Sequence, residues 1–141
     1  MSLPTTLTLE VATPLGMQLS LSTDSVQVPS ALGELGVLPG HLPILAAVRP
    51  GILTFNENGV KQRVAIGGGF AEADATHVRI ITEFFQKPED VDLAKAQADL
   101  AAAETRLKGL PGTTDDIEHI EAKRDYDWAN ARIDLARGSS N

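Results

Sequence analysis

The chain has 141 residues, of which 12 are basic and 19 acidic, and its formal net charge is −7. This charge disfavours a nucleic-acid partner, which needs a basic surface to replace phosphate counterions, and it disfavours docking on anionic lipid. Cysteine is absent, which excludes disulfides and thiolate metal sites within the chain. Apolar residues make up 43% of the sequence and aromatic residues 4%, so we expect a folded, largely aliphatic core.

The composition changes near Lys87, and this change predicts two domains, 1–86 and 87–141. The first part holds nine of the twelve glycines and six of the eight prolines, whereas the second is dense in alanine and charged residues. Strands followed by helices are typical of two segregated layers or domains. The sequence therefore predicts an α+β protein.

Apolar and polar residues alternate along the first part, as they do in half-buried strands. Asn58-Gly59 lies between two such runs and is a strong hairpin signal. Many short strands at this spacing predict an antiparallel β-sandwich, or flattened barrel. One predicted face of the second run consists of Leu15, Met17, Leu19 and Leu21. The runs cover residues 7–11, 15–21, 26–28, 51–55, 60–66 and 77–82.

The second part has a helical period and predicts an antiparallel two-helix hairpin. Asp90 or Asp92 is the expected N-cap of the first helix, Gly109 its end, and Gly138 the end of the second helix. The apolar stripes are rich in alanine, so we expect weak docking on the sandwich and more than one stable position. The stripes are Leu93, Ala96, Leu100, Ala103 and Leu107, and then Ile117, Ile120, Ala122, Tyr126, Ala129, Ile133 and Ala136.

No pattern of residues indicates an active site or a metal site. His41, His77 and His119 lie in different predicted elements, so they do not predict a metal ion. Gly67-Gly68-Gly69 is followed neither by lysine nor by a helix, which favours a close approach between strands over a phosphate loop. An enzyme acting through Glu34 and His41 is an alternative, although their spacing does not place them in a cleft.

Glycine and proline are concentrated in residues 33–43, whose sequence is Gly-Glu-Leu-Gly-Val-Leu-Pro-Gly-His-Leu-Pro. Glycine permits positive φ and proline fixes φ, so we expect a rigid loop. Such a loop is either a structural corner or a presented contact surface. The predicted contact residues are Gly33, Glu34, Leu35, Gly40 and His41.

This segment, followed by Pro50-Gly51, resembles the hallmark of the epsilon subunit family of F-type ATP synthases. Residues 68–72, Gly-Gly-Phe-Ala-Glu, are similar to another family segment, and the order of sandwich and helices also matches. The resemblance implies a non-catalytic rotor subunit in the central stalk of a proton-translocating enzyme. Such a subunit couples the gamma subunit to the ring of c subunits and inhibits ATP hydrolysis through its C-terminal helices. The implied location is the bacterial inner membrane, peripheral on the cytoplasmic side.

The resemblance also implies partners for individual residues. By motif position Glu34 would face the polar loops of the c ring, and His41 would face the gamma subunit. The alternatives are a solvated turn carboxylate for Glu34 and a histidine satisfied by its own loop for His41. The extended hairpin would meet an acidic loop of the catalytic beta subunit through basic residues, but residues 114–137 hold seven acidic and four basic side chains. We therefore expect weak, salt-dependent inhibition.

Some members of the family bind ATP on the hairpin through an Ile/Leu-Asp-x-x-Arg-Ala segment and arginines of the second helix. The corresponding residues here are Val-Asp-Leu-Ala-Lys-Ala at 91–96, and lysine lacks the planar fork of arginine. Arg132 matches one basic position, whereas Trp128 falls at the other. The resemblance thus implies weak ATP binding at Asp92, Lys95 and Arg132 and no other cofactor. Otherwise Asp92 caps the helix and Lys95 forms a surface pair.

Overall fold

The computed structural model describes residues 3–110 and 116–138. In these residues the strands come first and the helices follow, as the composition predicts. The strands are β1 (Leu7–Thr13), β2 (Gly16–Thr23), β3 (Val26–Ser30), β4 (Gly33–Val37), β5 (Ile44–Val48), β6 (Gly51–Glu57), β7 (Val60–Ile66), β8 (Gly69–Ala73), β9 (His77–Thr82) and β10 (Phe85–Gln86). A single turn of 3₁₀ helix, Pro88–Asp90, leads to α1 (Leu93–Gly109) and α2 (Ile117–Arg137). The domain bounds 1–86 and 87–141 stay a prediction.

One continuous sheet forms the sandwich. Its strand order is β10-β7-β6-β3-β5-β8-β9-β1-β2, and β4 pairs with β3 off this path. Neighbouring strands are antiparallel except β1 and β9, which are parallel and have the long connection that such a pair requires. The sheet is nearly closed around one core, so the predicted sandwich, or flattened barrel, followed by two helices is confirmed.

The core of the sandwich is aliphatic apart from Phe55. Burying one large aliphatic side chain contributes about 1.5–3 kcal/mol, so this cluster stabilises the sandwich strongly. Its large members are Leu7, Leu9, Val11, Val26, Val28, Val37, Val48, Leu53, Phe55, Val64, Ile66, Val78 and Ile80.

The alternation predicted for the second run is wrong at its start. Leu15 and Met17 belong to the predicted inner face, yet they are 92% and 56% exposed. A register shift between Val11 and Ala12 places Met17 opposite Ala12, whose side chain points outward. Such a bulge changes which side chains face the core, and the local alternation carries no sign of it.

The predicted rigid loop at 33–43 is in part a strand. Residues Gly33–Val37 form β4, and only residues 38–43 connect it to β5. Val37 is buried and Leu35 packs against the core, so this strand has the expected alternation, which its two glycines hide in the sequence. The strand β5 is apolar at every position, and for this reason it lacks a period of two.

The glycine triplet at 67–69 is a close approach between strands, as predicted. A Cβ atom on Gly69 would collide with the carbonyl oxygen of Ile81, and one on Gly67 would lie 3.0 Å from the ring of Phe84. Gly69 begins β8 opposite Thr82 of β9. Glycine is therefore required here for backbone packing.

The two helices form a compact hairpin beside the sandwich. Asp92 caps α1 by accepting a hydrogen bond from the backbone N–H of Lys95 at 3.1 Å, and Gly138 ends α2 in the left-handed conformation. The helix α2 lies against β6 and β7, and α1 packs on α2. Ion pairs from Asp99 to Arg132 and from Arg106 to Glu121 follow the antiparallel order. The predicted capping by Asp92 is confirmed.

The apolar stripe predicted for α2 is partly wrong. Ile117 and Ile120 are 71% and 54% exposed, whereas Leu135, outside the predicted stripe, is 2% exposed. Leu135 and Ala131 pack on Ala65 of the sandwich. The helix α2 also buries a second face against α1. A single apolar stripe is expected only for a helix that packs on one neighbour. The residues buried on that second face are Ala122, Ala129 and Ile133.

Candidate functional site

A row of apolar side chains crosses the outer face of the sandwich that the helices leave uncovered. Ala47, Phe70 and Ile81 are register partners across β5, β8 and β9, and Ala12 and Met17 continue the row across β1 and β2. Phe70, Met17 and Ile81 are 59%, 56% and 53% exposed. A contiguous exposed patch of this kind marks an interaction surface. We call these five residues the apolar row.

Charged side chains lie beside the apolar row. Glu72 and Arg79 are register partners across β8 and β9, and Arg79 pairs with Glu10 of β1. The Arg79 Nη2 atom lies 3.2 Å from Oε1 of Glu10. An apolar strip with a polar border is the usual composition of a protein–protein interface.

The loop 38–43 adjoins this face at the start of β5 and is held by hydrogen bonds within the loop and to the turn between β8 and β9. Gly40 has φ +85° and donates its N–H to the carbonyl of Ala75 at 2.8 Å. His41 donates its N–H to Leu38, and its Nδ1 atom lies 2.7 Å from the carbonyl oxygen of Leu42. Leu38 and Leu42 are 60% and 78% exposed. The predicted residues Gly40 and His41 thus belong to a stiff loop that presents two leucines.

Glu34 lies at the other end of β4, beside the turn that joins β3 to β4. Its Oε1 atom is 3.6 Å from Nη2 of Arg49, and its side chain is 55% exposed. Gly33 has φ +124° in this turn, and the preceding Leu32 is fully exposed. Three residues of β4 lie between Glu34 and the loop of His41, and these three residues by themselves span about 10 Å. The structure therefore does not bring Glu34 and His41 together.

Lys95 and Arg132 converge on the carboxylate of Asp99. Arg132 Nη2 lies 3.0 Å from Asp99 Oδ2, and Lys95 Nζ lies 3.4 Å from the same oxygen. The Arg132 side chain is only 8% exposed, and its guanidinium lies 5.3 Å from the ring centroid of Trp128. Trp128 in turn stacks on Phe84 of the sandwich with a centroid distance of 5.2 Å. Two of the three predicted nucleotide-binding residues thus share one site.

This site is an open cleft between the two helices and the end of the sheet, here called the interhelical cleft. Partial burial raises the pKa of Asp99, but hydrogen bonds from Arg132 and Lys95 lower it more, so the pKa lies below its ordinary value. The carboxylate is therefore ionised at neutral pH. Asp92 is not part of the cleft, because its side chain caps α1. The lining residues are Gln86, Lys95, Asp99, Ala102, Ala103, Arg106, Asp125, Trp128 and Arg132.

Gln86 contributes an unsatisfied acceptor to the interhelical cleft. Its Oε1 atom is buried and has no hydrogen-bond partner among the described residues. In the same described part of the chain, no group of three or more histidine or carboxylate side chains could hold a metal ion. The chemistry that the cleft offers is therefore anion recognition by its basic side chains, Lys95, Arg106 and Arg132.

The apolar row and Asp99 are not predicted from the sequence. Phe70 and Ile81 occupy outward positions of strands, where an apolar side chain breaks the alternation, and this break was the available signal. Asp99 and Arg132 are 33 residues apart, and no local pattern links them.

Comparisons with known proteins agree with the architecture. The family described as ATP synthase, Delta/Epsilon chain, beta-sandwich domain matches residues 6–88, and the long alpha-helix domain of the same chain matches residues 89–137. The ATP synthase epsilon chain of Synechococcus sp. (strain WH7803) is 34% identical over 131 residues, covering 93% of this chain and 96% of the relative. The epsilon chain of Citrifermentans bemidjiense is 39% identical over 104 residues, covering 74% and 75% of the two chains.

Solved structures share the fold. A chain in the cryo-EM structure of the Euglena gracilis mitochondrial ATP synthase OSCP/F1/c-ring superposes with a TM-score of 0.77 at 24% identity, over 93% of this chain and 81% of the other. A chain in the central stalk and c-ring structure of the Tetrahymena thermophila mitochondrial enzyme gives 0.55 at 12% identity, over the whole of both chains. Since the two family matches together span nearly all of the sequence, this chain belongs to the epsilon-chain family of F-type ATP synthases.

Proposed function

We propose that this chain is the non-catalytic epsilon subunit of a proton-translocating F-type ATP synthase, acting in the central stalk as part of the rotor. The observation that carries the proposal is the apolar row on a face that the hairpin leaves uncovered. A partner can occupy this face while the hairpin stays compact. The continuous sheet around an aliphatic core is a stiff body, which suits the transmission of torque.

The gamma subunit is the proposed partner of the apolar row and of the adjoining loop with His41. Phe70, Leu42 and Leu45 supply exposed apolar area, 59%, 78% and 72% exposed respectively. A stable interface buries about 1,200 Å² or more in total, so both the face and the loop are needed. In this arrangement His41 lies at the edge of the gamma contact.

The polar loops of the c ring are the proposed partner of the turn between β3 and β4. The exposed Leu32 and Glu34 project beside Gly33 at one edge of the sandwich. Through this contact the subunit would be peripheral on the cytoplasmic side of the bacterial inner membrane. In the described residues, the helices are too short or too polar to span a bilayer.

Co-purification with a gamma subunit tests this proposal directly. We expect the full chain and gamma to elute as one complex in size-exclusion chromatography, because the apolar row is exposed in the free chain. Separate elution at micromolar concentrations would contradict the assignment.

The hairpin is the proposed regulator, and its inhibition of ATP hydrolysis through the beta subunit is expected to be weak. Its second helix region carries seven acidic and four basic residues, which opposes docking on an acidic partner. Removal of residues 88–141 should change ATP hydrolysis by the assembled head by less than about twofold at 0.15 M salt, where charges are screened beyond about 8 Å. A many-fold release of activity at that salt would refute this prediction, and unchanged gamma binding would show that the sandwich is folded.

ATP binding by the hairpin is a second proposed function, supported by the convergence of Lys95 and Arg132 in the interhelical cleft. We expect weak binding, with half-saturation at about 1 mM or above. This corresponds to a favourable binding free energy of about 4 kcal/mol or less. The reason is that Asp99 already pairs with both cations. Titration with ATP can be followed by the fluorescence of Trp128, the one tryptophan of the chain. Micromolar saturation would contradict the prediction.

A further inference from the structure

The interhelical cleft contains more positive than negative charge in an acidic chain. Lys95, Arg106 and Arg132 line it together with Asp99 and Asp125. Arg132 is the buried member, with an 8% exposed side chain, and its carboxylate partner Asp99 comes from the other helix. A buried guanidinium requires a counter-charge, because an unpaired charge inside a protein is strongly destabilising.

We propose that the interhelical cleft is a phosphate-type anion site whose occupant is built into the chain, namely the carboxylate of Asp99. The inference deepens the proposed ATP binding and rests on it for the class of ligand, whereas gamma binding does not enter it. Asp99 makes the two contacts that a phosphate oxygen would make, one to Arg132 and one to Lys95. The carboxylate of Asp99 therefore lowers the affinity of the cleft for external anions.

Competition explains this exclusion. The carboxylate is attached to α1 one turn after Lys95, so it is present at a high effective concentration beside Arg132. A phosphate at the same guanidinium would lie within a few ångströms of Asp99, and two like charges at that distance repel each other. An external anion must displace Asp99 or bind beside it, and both cost affinity.

The same contact makes the compact hairpin independent of a bound anion. Arg132 on α2 is neutralised by α1, and its guanidinium lies over Trp128, which stacks on Phe84 of the sandwich. The interaction between the helices and the position of Trp128 are thus linked through one ion pair. We infer that wild-type protein stays compact without nucleotide.

Substitution Asp99→Asn in the full chain tests the proposal. The probes are inorganic pyrophosphate and ATP, with binding measured by calorimetry and by Trp128 fluorescence. We expect both anions to bind at least tenfold more tightly to the variant than to wild type, because the competing charge is gone while an amide oxygen can still accept from Arg132. The variant Asp99→Glu keeps the charge and should retain weak binding.

The matched control is Asp134→Asn, which changes the net charge equally. Asp134 is an exposed residue of α2 that lines a different cleft, on the sandwich side. Equal affinity gains in both asparagine variants, or none in Asp99→Asn, would overturn the proposal. So would binding of ATP without pyrophosphate, since the base would then be the recognised group. If Asp99→Asn loosens the hairpin, pyrophosphate should restore the Trp128 signal, and a failure to do so contradicts the proposal.

Discussion

Replacement of Gly69 by alanine is expected to lower the free energy of unfolding by about 3 kcal/mol or more. The added Cβ atom would collide with the carbonyl oxygen of Ile81 on the paired strand β9. Neither atom can move away easily, because β8 is held between β5 and β9 by backbone hydrogen bonds. The strain must be relieved by separating strands in the centre of the sheet.

Urea denaturation followed by far-UV circular dichroism measures this effect. The matched control is Gly36→Ala in β4, where a Cβ atom would meet nothing within 4 Å and φ is not in the left-handed region. We expect the control to shift stability by less than about 1 kcal/mol. Similar losses in both variants would show that the collision at Gly69 is relieved at little cost.

Replacement of Phe70 by aspartate is expected to weaken binding of the gamma subunit by about 100-fold or more. Phe70 is the one aromatic residue of the apolar row and lies near its centre, between Ala47 and Ile81. Central aromatic residues contribute about 2–4 kcal/mol at such interfaces, and a buried unpaired carboxylate adds a further cost. Because Phe70 is 59% exposed in the free chain, the fold itself should tolerate the change.

Surface plasmon resonance with immobilised gamma provides the measurement. The control is Val60→Asp, which introduces the same charge at a residue that is 58% exposed but lies in the β6–β7 hairpin. We expect the control to bind like wild type. An equal loss in both variants, or normal binding by Phe70→Asp, would remove the apolar row as the gamma surface.

Strands with polar side chains on their outer face can be predicted from the sequence. Strands without such a polar outer face cannot, because they lack the alternation. The hairpin at Asn58-Gly59 is a clear case, since both residues have positive φ in the turn between β6 and β7. In β5 the outward residues are Leu45 and Ala47, and in β8 Phe70 takes one of the two outward positions, so apolar side chains interrupt the period of two. In β4 the strand is disguised by glycines at positions 33 and 36.

The candidate sites divide in the same way. The contact residues Gly33, Glu34, Leu35, Gly40 and His41 are predicted from one local segment, because glycine and proline mark unusual backbone, and their role stays a prediction. The apolar row requires the register of five strands, and the contact of Asp99 with Arg132 requires the register of two helices. Register depends on turns, bulges and packing distant in sequence, so the local pattern cannot supply it.

The helix that directly follows the sandwich in the chain is the outer one in space. The inner helix α2 covers β6 and β7, while α1 contacts α2 and is tethered through Pro88–Asp90. Any swing of the hairpin about this tether must therefore begin with the release of α2, and re-docking must end with it. The C-terminal helix α2 thus holds the hairpin on the sandwich, and we expect substitutions on α1 to affect this docking mainly through their contacts with α2.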